Sequence, residues 1–494
     1  MSLTDILFYA QEPVSRPESH VMNVKTNREA QLAGEAIPRL VIRYSVPAVV
    51  GMFVNATYTV VDRYWIGQLR DVNAMSGIGL TTPLMMILLG VMLLVGIGTT
   101  ASISIRLGEK KHEEAEKILA NGFTLSLIFG SVITLVGLLT LKPILIVAGA
   151  STETLPYAWS YLRILLIGVI PNTVGFAMNQ TIRGAGNPRR SALTQILGAG
   201  LNILLDPIFI FGLDMGVRGA ALATVISQVI SAIWVMSYFI GKDSLIQLKI
   251  KWMRLQWAVV KQIISIGLSP FAMQTATSLV SVMANRALRD TGGDVAIGAM
   301  TVINSVAILF LMPIFGINQG LQPIFGYNYG AASFARVRAA WIFGIKLSTV
   351  IVMTGFLAVQ LFPATIIRIF IDDPGLIEIG TFGIRIFLSM LPLLGFQIIS
   401  TVYFQSVGKA RIAIFASLLR QVIILLPLYL ILPGIYGLPG IWFASPIADF
   451  CSFVIIAILI SREMKKLKLM TEPCPATRDH PTDEHNAGGL PRPH

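Results

Sequence analysis

An asparagine and an aspartate lie four residues apart inside one of the apolar segments of the chain. Asn202 and Asp206 belong to LNILLDPIFIFG, and on a helix this spacing puts both side chains on one face. A carboxylate inside a bilayer normally faces a cavity, an ion or a partner, because its burial in lipid is costly. Pro207 is expected to kink the helix and to free carbonyl oxygens beside the carboxylate. These groups predict a site for a cation or a proton within a membrane.

The same residues have an alternative interpretation, in which Asp206 caps a helix at the membrane surface and Pro207 occupies its first turn. The flanking residues argue against it. Arg190 begins the apolar segment and Gly212 ends it, a length close to one bilayer span of about 20 residues. At 1.5 Å per residue, Asp206 lies roughly 24 Å from Arg190, inside the span and toward its far side.

The composition is that of an integral membrane protein. Of 494 residues, 54% are hydrophobic and 13% are charged, whereas a soluble domain has about 25% charged residues. The formal charge of +12 comes from basic residues in short loops between apolar segments, a pattern that orients membrane proteins, so we expect no nucleic-acid partner. Two cysteines predict no disulfide framework. Since the chain carries no complete P-loop and no nucleophile–base motif, we expect neither an enzyme nor an ATP-driven pump.

Twelve apolar segments are long enough to span a bilayer, which predicts an all-α fold. Loops rich in Lys and Arg alternate with poorer ones, so the positive-inside rule places both termini in the cytoplasm. The predicted spans are 40–66, 75–105, 118–148, 157–181, 190–212, 216–240, 257–285, 296–325, 338–363, 380–407, 411–432 and 437–461.

The chain also repeats itself at a separation of about 222 residues, which relates two sets of six spans. Because six is even, the two sets are parallel and related by an axis along the membrane normal. The matched residues are Pro47 and Pro270, Gly98 and Gly320, Gly108 and Gly330, Gly186 and Gly408, Gly216 and Gly437, and Gly219 and Gly440.

The repeat divides the chain into two bundles, 39–241 and 257–461. Residues 1–38 form a cytoplasmic N-terminal segment. The linker 242–256 is basic and amphipathic, so we expect it on the inner membrane surface. The polar tail 462–494 is expected to be disordered and cytoplasmic.

The two halves differ in their acidic residues. Asp62 lies near the end of the first span, where its counterpart is Asn285, and Asp206 has no acidic counterpart. Ion handling is therefore predicted for the first half. The alternative for Asp62 is a surface pair with the adjacent Arg63.

These stretches resemble the multidrug and toxic compound extrusion (MATE) family, in the branch of the DNA-damage-inducible F proteins. The matching residues are VVDRYWIG, GIGTTASISIRLG with GINQGLQPIFGYNYGA, RGAGNPR, LNILLDPIFIFG and GVRGAALAT. The resemblance implies two six-helix bundles related by a pseudo-two-fold axis, with a V-shaped central cleft. It implies a monomer in the cytoplasmic (inner) membrane, surrounded by lipid, which needs no cofactor beyond its coupling ion. Such a transporter exports amphipathic drugs and organic cations by antiport with protons or sodium.

Four residues correspond to the cation site of that family: Asp62, Asn202, Asp206 and Thr224. Their oxygen atoms suit a sodium ion, and two nearby carboxylates suit a shared proton. Some members carry a Glu in the seventh span where this chain has Ser278, so no second ion site is expected in the C-terminal bundle.

Four residues of the second half are candidates for the substrate cleft: Gln274, Met283, Asn304 and Gln397. Their alternative role is to join or pack helices, as polar groups and methionines often do in membranes. The alternative function is a lipid-linked saccharide flippase, which would line its cleft with several basic residues. Only Lys346 and Arg420 lie deep in predicted spans, which favours a drug exporter.

Overall fold

The computed structural model describes residues 28–69, 71–79, 81–147, 150–241, 244–370 and 374–471. These residues are almost entirely helical and include no strand. Eleven helices are long and apolar enough to cross a membrane, and α10 completes a twelfth span with Ile377–Phe387, against which it is bent by 48°. The predicted number of twelve spans and the all-α fold are thereby confirmed.

We label the spanning helices α1 to α12. They are α1 Ile37–Gly67, α2 Thr82–Gly108, α3 His112–Val147, α4 Leu155–Gly184, α5 Pro188–Gly212, α6 Val217–Ile240, α7 Trp257–Gly293, α8 Val295–Gly330, α9 Phe334–Leu361, α10 Leu391–Ser406, α11 Ala410–Tyr436 and α12 Leu438–Thr471. Shorter helices are Val72–Gly79, Pro363–Arg368 and Pro374–Phe387, with a 3-10 turn at Ile250–Trp252. The predicted disordered tail 462–494 is wrong at its start, because residues 462–471 continue helix α12. Its remaining residues, 472–494, and the first 27 residues lie outside the described residues.

Paired glycines show that the sequence repeat is also a repeat of backbone conformation. Gly186 and Gly408 have φ values of 87° and 76°, and Gly216 and Gly437 have values of 54° and 62°. This left-handed region favours glycine, so each pair marks the same turn in both halves. The first bundle (α1–α6) and the second bundle (α7–α12) therefore follow one path, as the pseudo-two-fold prediction requires.

The two bundles meet along α1, α2, α7 and α8 near one face of the molecule, where the basic loops around Lys110 and Arg254 lie. We call this the basic face, and the opposite side the far face. A Cβ atom on Gly108 would overlap the carbonyl oxygen of Tyr327, and one on Gly330 would overlap that of Ile105. These two contacts are equivalent under the repeat, because both the glycines and their partners are 222 residues apart. We call this backbone contact between the bundles the glycine seam.

The distribution of apolar cores gives the shape of the molecule. At the basic face one core runs through both bundles and includes Ile103 and Leu321. Toward the far face each bundle has a separate core, with Leu162 in the first and Ile303 in the second. The bundles are thus joined at the basic face and separate toward the far face, which produces the V-shaped cleft.

The linker between the bundles is bonded to α3 through side chains of that helix. The side chain of Asn121 donates to the carbonyl of Trp252 at 3.2 Å and accepts from the N–H of Gln256 at 2.8 Å. Glu116 accepts from the N–H of Gln247 at 3.3 Å and pairs with Lys249 at 2.6 Å. These side chains satisfy backbone groups of the linker, whose described part contains a 3-10 turn at Ile250–Trp252.

Candidate functional site

Helix α5 positions Asn202 and Asp206. Asn187 caps its first turn by accepting from the N–H of Arg190 at 3.1 Å, and Pro188 occupies the first helical position. The helix then continues unbroken to Pro207, so Asn202 and Asp206 share one face. That face points into the first bundle, because both side chains are buried and Asp206 is 0% exposed.

Three of the four predicted cation-site residues form a hydrogen-bonded cluster. The Nδ2 atom of Asn202 donates to Oδ1 of Asp206 at 3.1 Å and to Oγ1 of Thr224 on α6 at 3.3 Å. The structure therefore brings together two residues that local spacing predicted and one that the resemblance predicted. The amide N–H groups of Asn202 join α5 to α6. The oxygen atoms of the cluster thereby stay available to bind a cation or a proton.

Asp62 lies on α1, on the same side of the first bundle as this cluster. It is half-buried, and its charge acts on Asp206. The phenols of Tyr58 and Tyr161 lie within electrostatic range of both carboxylates. Arg63 also acts on Asp62 through its charge, but the described residues include no Asp62–Arg63 ion pair within 4.0 Å. The surface-pair alternative for Asp62 therefore does not describe the structure.

The site contains buried oxygen atoms that lack a hydrogen-bond partner among the described residues. They are Oδ1 of Asp62, Oδ1 of Asn202 and Oδ2 of Asp206. Buried polar atoms are normally satisfied, so unsatisfied ones call for a specific explanation such as an ion or a proton. Two carboxylates, an amide oxygen and a hydroxyl offer hard oxygen ligands, which fit a sodium ion, and the carboxylates fit a shared proton. Within the part of the chain that the structure describes, no cluster of three or more His, Cys, Asp or Glu side chains offers another metal site.

Pro207 marks a change in the winding of α5. Since proline has no N–H, the carbonyl of Ile203 loses its usual helical donor. The next residues, Ile208–Gly212, form a π turn, in which the N–H of Leu213 donates to the carbonyl of Ile208 at 2.9 Å. The irregular backbone predicted beside Asp206 is therefore a widened turn rather than a break, and such turns often occur at functional sites.

Of the four predicted cleft residues in the second bundle, three are at least partly exposed and one, Gln397, is buried. Gln274 on α7 donates to Sδ of Met86 on α2 at 3.2 Å, so it lies between the bundles. Asn304 is exposed and Met283 is half-buried.

The prediction for Gln397 is wrong. This side chain is 4% exposed, donates to the carbonyl of Asp449 at 2.6 Å and accepts from Ser452 at 3.0 Å. Both partners belong to α12, so the amide joins α10 to α12 inside the second bundle. A polar residue in an apolar span can face a partner helix as readily as a cleft. The local sequence around it does not distinguish these two positions.

Sequence reasoning missed an ion pair within the second bundle. Arg420 on α11 pairs with Asp449 on α12, and its guanidinium also donates to the hydroxyl of Ser445 at 3.2 Å. Arg420 lies in a second π turn, Leu419–Leu425. The available signal was Asp449 itself, a lone carboxylate in the apolar stretch PIADFCSF.

Known proteins of this architecture are similar to the chain over most of its length. The multidrug export protein MepA of Staphylococcus saprophyticus is 28% identical over 421 residues, which cover 85% of this chain and 92% of that protein. MepA of Staphylococcus aureus strain MRSA252 is also 28% identical, over 85% of this chain and 93% of its own.

Solved structures agree with the sequence relatives. A structure described as the outward-facing conformation of a multidrug resistance MATE family transporter has a TM-score of 0.84 and 25% identity, and covers 89% of this chain and 98% of that chain. A MOP superfamily transporter from Pyrococcus furiosus has a TM-score of 0.83 with 25% identity over the same shares. The family model MatE matches residues 47–208 and 265–431, one match in each bundle. With both bundles matched and the same fold throughout, the chain belongs to the MATE family of transporters.

Proposed function

We propose that this protein is a secondary active multidrug efflux transporter that exports amphipathic or cationic drugs by antiport with protons or sodium. Its relatives named multidrug export protein MepA support the substrate class. The basic loops support a cytoplasmic position for the basic face, and so for both termini, in the cytoplasmic membrane.

The observation that carries the proposal is the buried cluster of Asn202, Asp206 and Thr224 beside Asp62 in the first bundle. A proton or a sodium ion that binds there neutralises carboxylate charge, so the two ions compete for one site. Loading is expected to favour one arrangement of α5 around its π turn, whereas drug binding favours the other. Exchange requires this difference in affinity between two conformations.

The two bundles, residues 39–241 and 257–461, are the bodies that move relative to each other. In the arrangement described here they are joined at the basic face, so the cleft is accessible from the far face. Drug uptake from the cytoplasm then requires the glycine seam to open, and drug release requires it to close. Gln274 lies near the contact between the bundles. A substrate at the base of the cleft would contact both bundles at this point.

The charges of the second bundle favour drugs over anionic headgroups as substrates. A flippase for lipid-linked saccharides needs several basic side chains that face its cleft. Arg420 is instead paired with Asp449 inside the second bundle, which leaves its charge neutralised. This observation supports an exporter of neutral and cationic molecules.

Purified protein in sealed vesicles tests the proposal. An imposed pH gradient in the absence of sodium is expected to drive drug exchange, because two carboxylates without a third acidic ligand suit a proton. Asp206→Asn and Asp62→Asn are expected to abolish the coupling of drug exchange to the ion gradient, since each replaces one ionisable carboxylate by a neutral amide. Asp214→Asn is the matched control, because it makes the same change at an exposed loop residue whose φ of 52° asparagine tolerates.

Each result has a defined meaning. Drug exchange that needs sodium at every pH would reject protons as the driving ion and keep the shared site. Exchange that survives both Asp62→Asn and Asp206→Asn with its ion dependence unchanged would reject the site. Deletion of residues 472–494 is expected to leave exchange intact, because that segment follows the last spanning helix.

A further inference from the structure

A short helical segment precedes α1 at the basic face and lies against the second bundle. Residues 28–34 are helical, and α1 begins at Ile37 after a bend at Glu35. Leu32 is 0% exposed and belongs to the apolar core that runs through both bundles. We call residues 28–35 the N-terminal clasp.

An arginine of the second bundle holds the carbonyl end of this clasp. Arg336, in the first turn of α9, donates to the carbonyl of Leu32 at 3.2 Å and to that of Glu35 at 2.8 Å. Arg336 also donates through Nε to Oδ1 of Asn328 on α8 at 2.9 Å, and Asn328 donates to the carbonyl of Leu32 at 3.4 Å. The last carbonyls of a helix lack a donor within the helix, and a cation beside them is favourable. The guanidinium of Arg336 is therefore a helix cap that the other bundle supplies.

Carboxylates of the N-terminal clasp contact the first bundle, with which it is also continuous. Glu35 pairs with Arg43 on α1 at 2.9 Å, and Glu29 lies 3.5 Å from Nε2 of His112 at the start of α3. The clasp therefore moves with the first bundle. A movement that separates the bundles at the basic face has to break its bonds to the second bundle.

The sequence repeat relates this clasp to the end of the linker. Residues 251–256 precede α7 and correspond to residues 29–34 at the separation of 222. They reach α3 of the first bundle, where the hydroxyl of Thr124 donates to the carbonyl of Met253 at 3.0 Å, next to the two bonds of Asn121. We call residues 251–256 the linker clasp.

The two clasps have the same place in the fold but different chemistry. Their partner helices α3 and α9 are equivalent, because His112 and Phe334 begin them 222 residues apart. In both cases the segment before the first helix of one bundle is bonded to the third helix of the other. The donors are not equivalent, since Arg336 is a cation in the first turn of α9, whereas Thr124 is neutral and lies further inside α3.

We propose that the two clasps set the balance between the closed and the open state of the basic face. Each clasp bonds across the contact between the bundles through its backbone carbonyls, so these bonds exist only while the basic face is closed. Hydrogen bonds from a charged donor are stronger than those between neutral groups, so the N-terminal clasp stabilises the closed state more than the linker clasp does. The clasps depend on the proposed function only in that the basic face has to open toward the cytoplasm.

Distances between spin labels across the basic face provide the test. The full-length protein without Cys451 and Cys474 carries labels at Arg189 and Arg411, which are exposed residues at equivalent ends of α5 and α11. A short distance reports the closed state and a longer one the open state, so the distance distribution gives the ratio of the two. The measurement needs no drug and no ion gradient.

Each clasp is tested by removal of one donor. Arg336→Met keeps the length of the side chain and removes its N–H groups, so it is expected to raise the ratio of open to closed molecules about tenfold. Thr124→Val has nearly the same shape and removes one neutral hydrogen bond to the linker clasp, so the expected rise is about fivefold.

Two further variants make the result specific. Arg338→Met is the matched control, because it removes the same charge two residues further along α9, at a side chain that forms no hydrogen bond with the described residues. It is expected to leave the ratio unchanged. Leu32→Ala shortens the buried side chain of the N-terminal clasp, leaves Arg336 in place, and is expected to raise the ratio about fivefold. It remains informative if the Arg336→Met protein does not fold.

Three outcomes contradict the proposal. An unchanged distance distribution in Leu32→Ala and in folded Arg336→Met would mean that the N-terminal clasp does not restrain the bundles. An equal rise in Arg338→Met would mean that the loss of charge, and not of the bonds, causes the shift. A rise in Arg336→Met with none in Thr124→Val would overturn the pairing of the two clasps. Failure of drug exchange in vesicles, with distances that still respond to Arg336→Met, would instead reject the proposed function and support the clasps.

Discussion

Substitution of Gly320 by alanine is predicted to separate the two bundles and so to open the glycine seam, which lies beside it on α8. Gly320 lies on α8 against α1, and the added Cβ would stand 2.7 Å from the backbone nitrogen of Ser45 and 2.8 Å from its Cα. Ordinary contact begins near 3.4 Å, so α8 and α1 must separate by roughly 0.7 Å. A backbone partner cannot rotate away as a side chain can.

The free-energy cost follows from this overlap. Overpacking of a close interface costs about 1–3 kcal/mol. Because the strain exists only while the seam is closed, that cost is expected to shift the balance toward the open arrangement by about 5- to 150-fold. The folded state of each bundle is unaffected, since the overlap lies between bundles and not within one.

Spin labels across the seam measure the shift. In a protein without Cys451 and Cys474, labels at Lys111 and Ala331 report the distance between the α2–α3 and α8–α9 loops at the basic face. The wild type is expected to give a short distance, and Gly320→Ala a longer one.

Gly200→Ala is the matched control for this experiment. It makes the same change in α5, where an added Cβ meets nothing within 4 Å, and it includes the gain in helix propensity without the overlap. An unchanged distance in folded Gly320→Ala protein, or an equal change in Gly200→Ala, would refute the proposed role of the seam.

Three further predictions concern other parts of the fold. Asp449→Asn leaves Arg420 without its counter-charge. The free energy of unfolding is expected to decrease by about 3 kcal/mol, the lower end of the range for a broken buried pair, because Arg420 is partly exposed. Thermal melting in detergent, compared with a variant in which both residues are apolar, measures the decrease. Asn121→Ala removes a donor and an acceptor for the linker at a cost of about 1–3 kcal/mol, and limited proteolysis is expected to cut the linker faster; unchanged cleavage would mean that its other bonds hold it. Cysteine labelling in intact cells is expected to modify position Asp290 but not Ile250, and the reverse pattern would invert the assigned topology.

Features that depend on local periodicity could be predicted from the sequence. Asn202 and Asp206 fall on one buried face because their spacing of four matches the helical repeat, whatever surrounds them. The repeat of glycines predicted that both halves follow the same path, and the paired left-handed φ values of Gly186 and Gly408 confirm it. Thr224 lies on a different helix, so its position beside Asn202 came from the family resemblance and not from spacing.

Features that depend on which helices are neighbours could not be predicted in this way. Arg420 and Asp449 are 29 residues apart on separate helices, and no local pattern links them. Gln397 has a polar side chain, as a cleft residue would, but its amide is directed toward α12. The basic, amphipathic linker was predicted on the inner membrane surface, and no local pattern indicated that Asn121 on α3 bonds its backbone.

The glycine seam also limits how the two halves of this chain can diverge. When two side chains pack together, the loss of fit from one substitution is restored by a second substitution in the partner. Gly108 and Gly330 each meet main-chain atoms of the other bundle, and main-chain atoms are the same for every residue. No second substitution at Tyr327 or Ile105 therefore makes room for a side chain, and each glycine is irreplaceable on its own. The two halves have become chemically unlike at Asp62 and Asp206, which have no acidic counterparts in the second half, whereas at the seam they have remained alike.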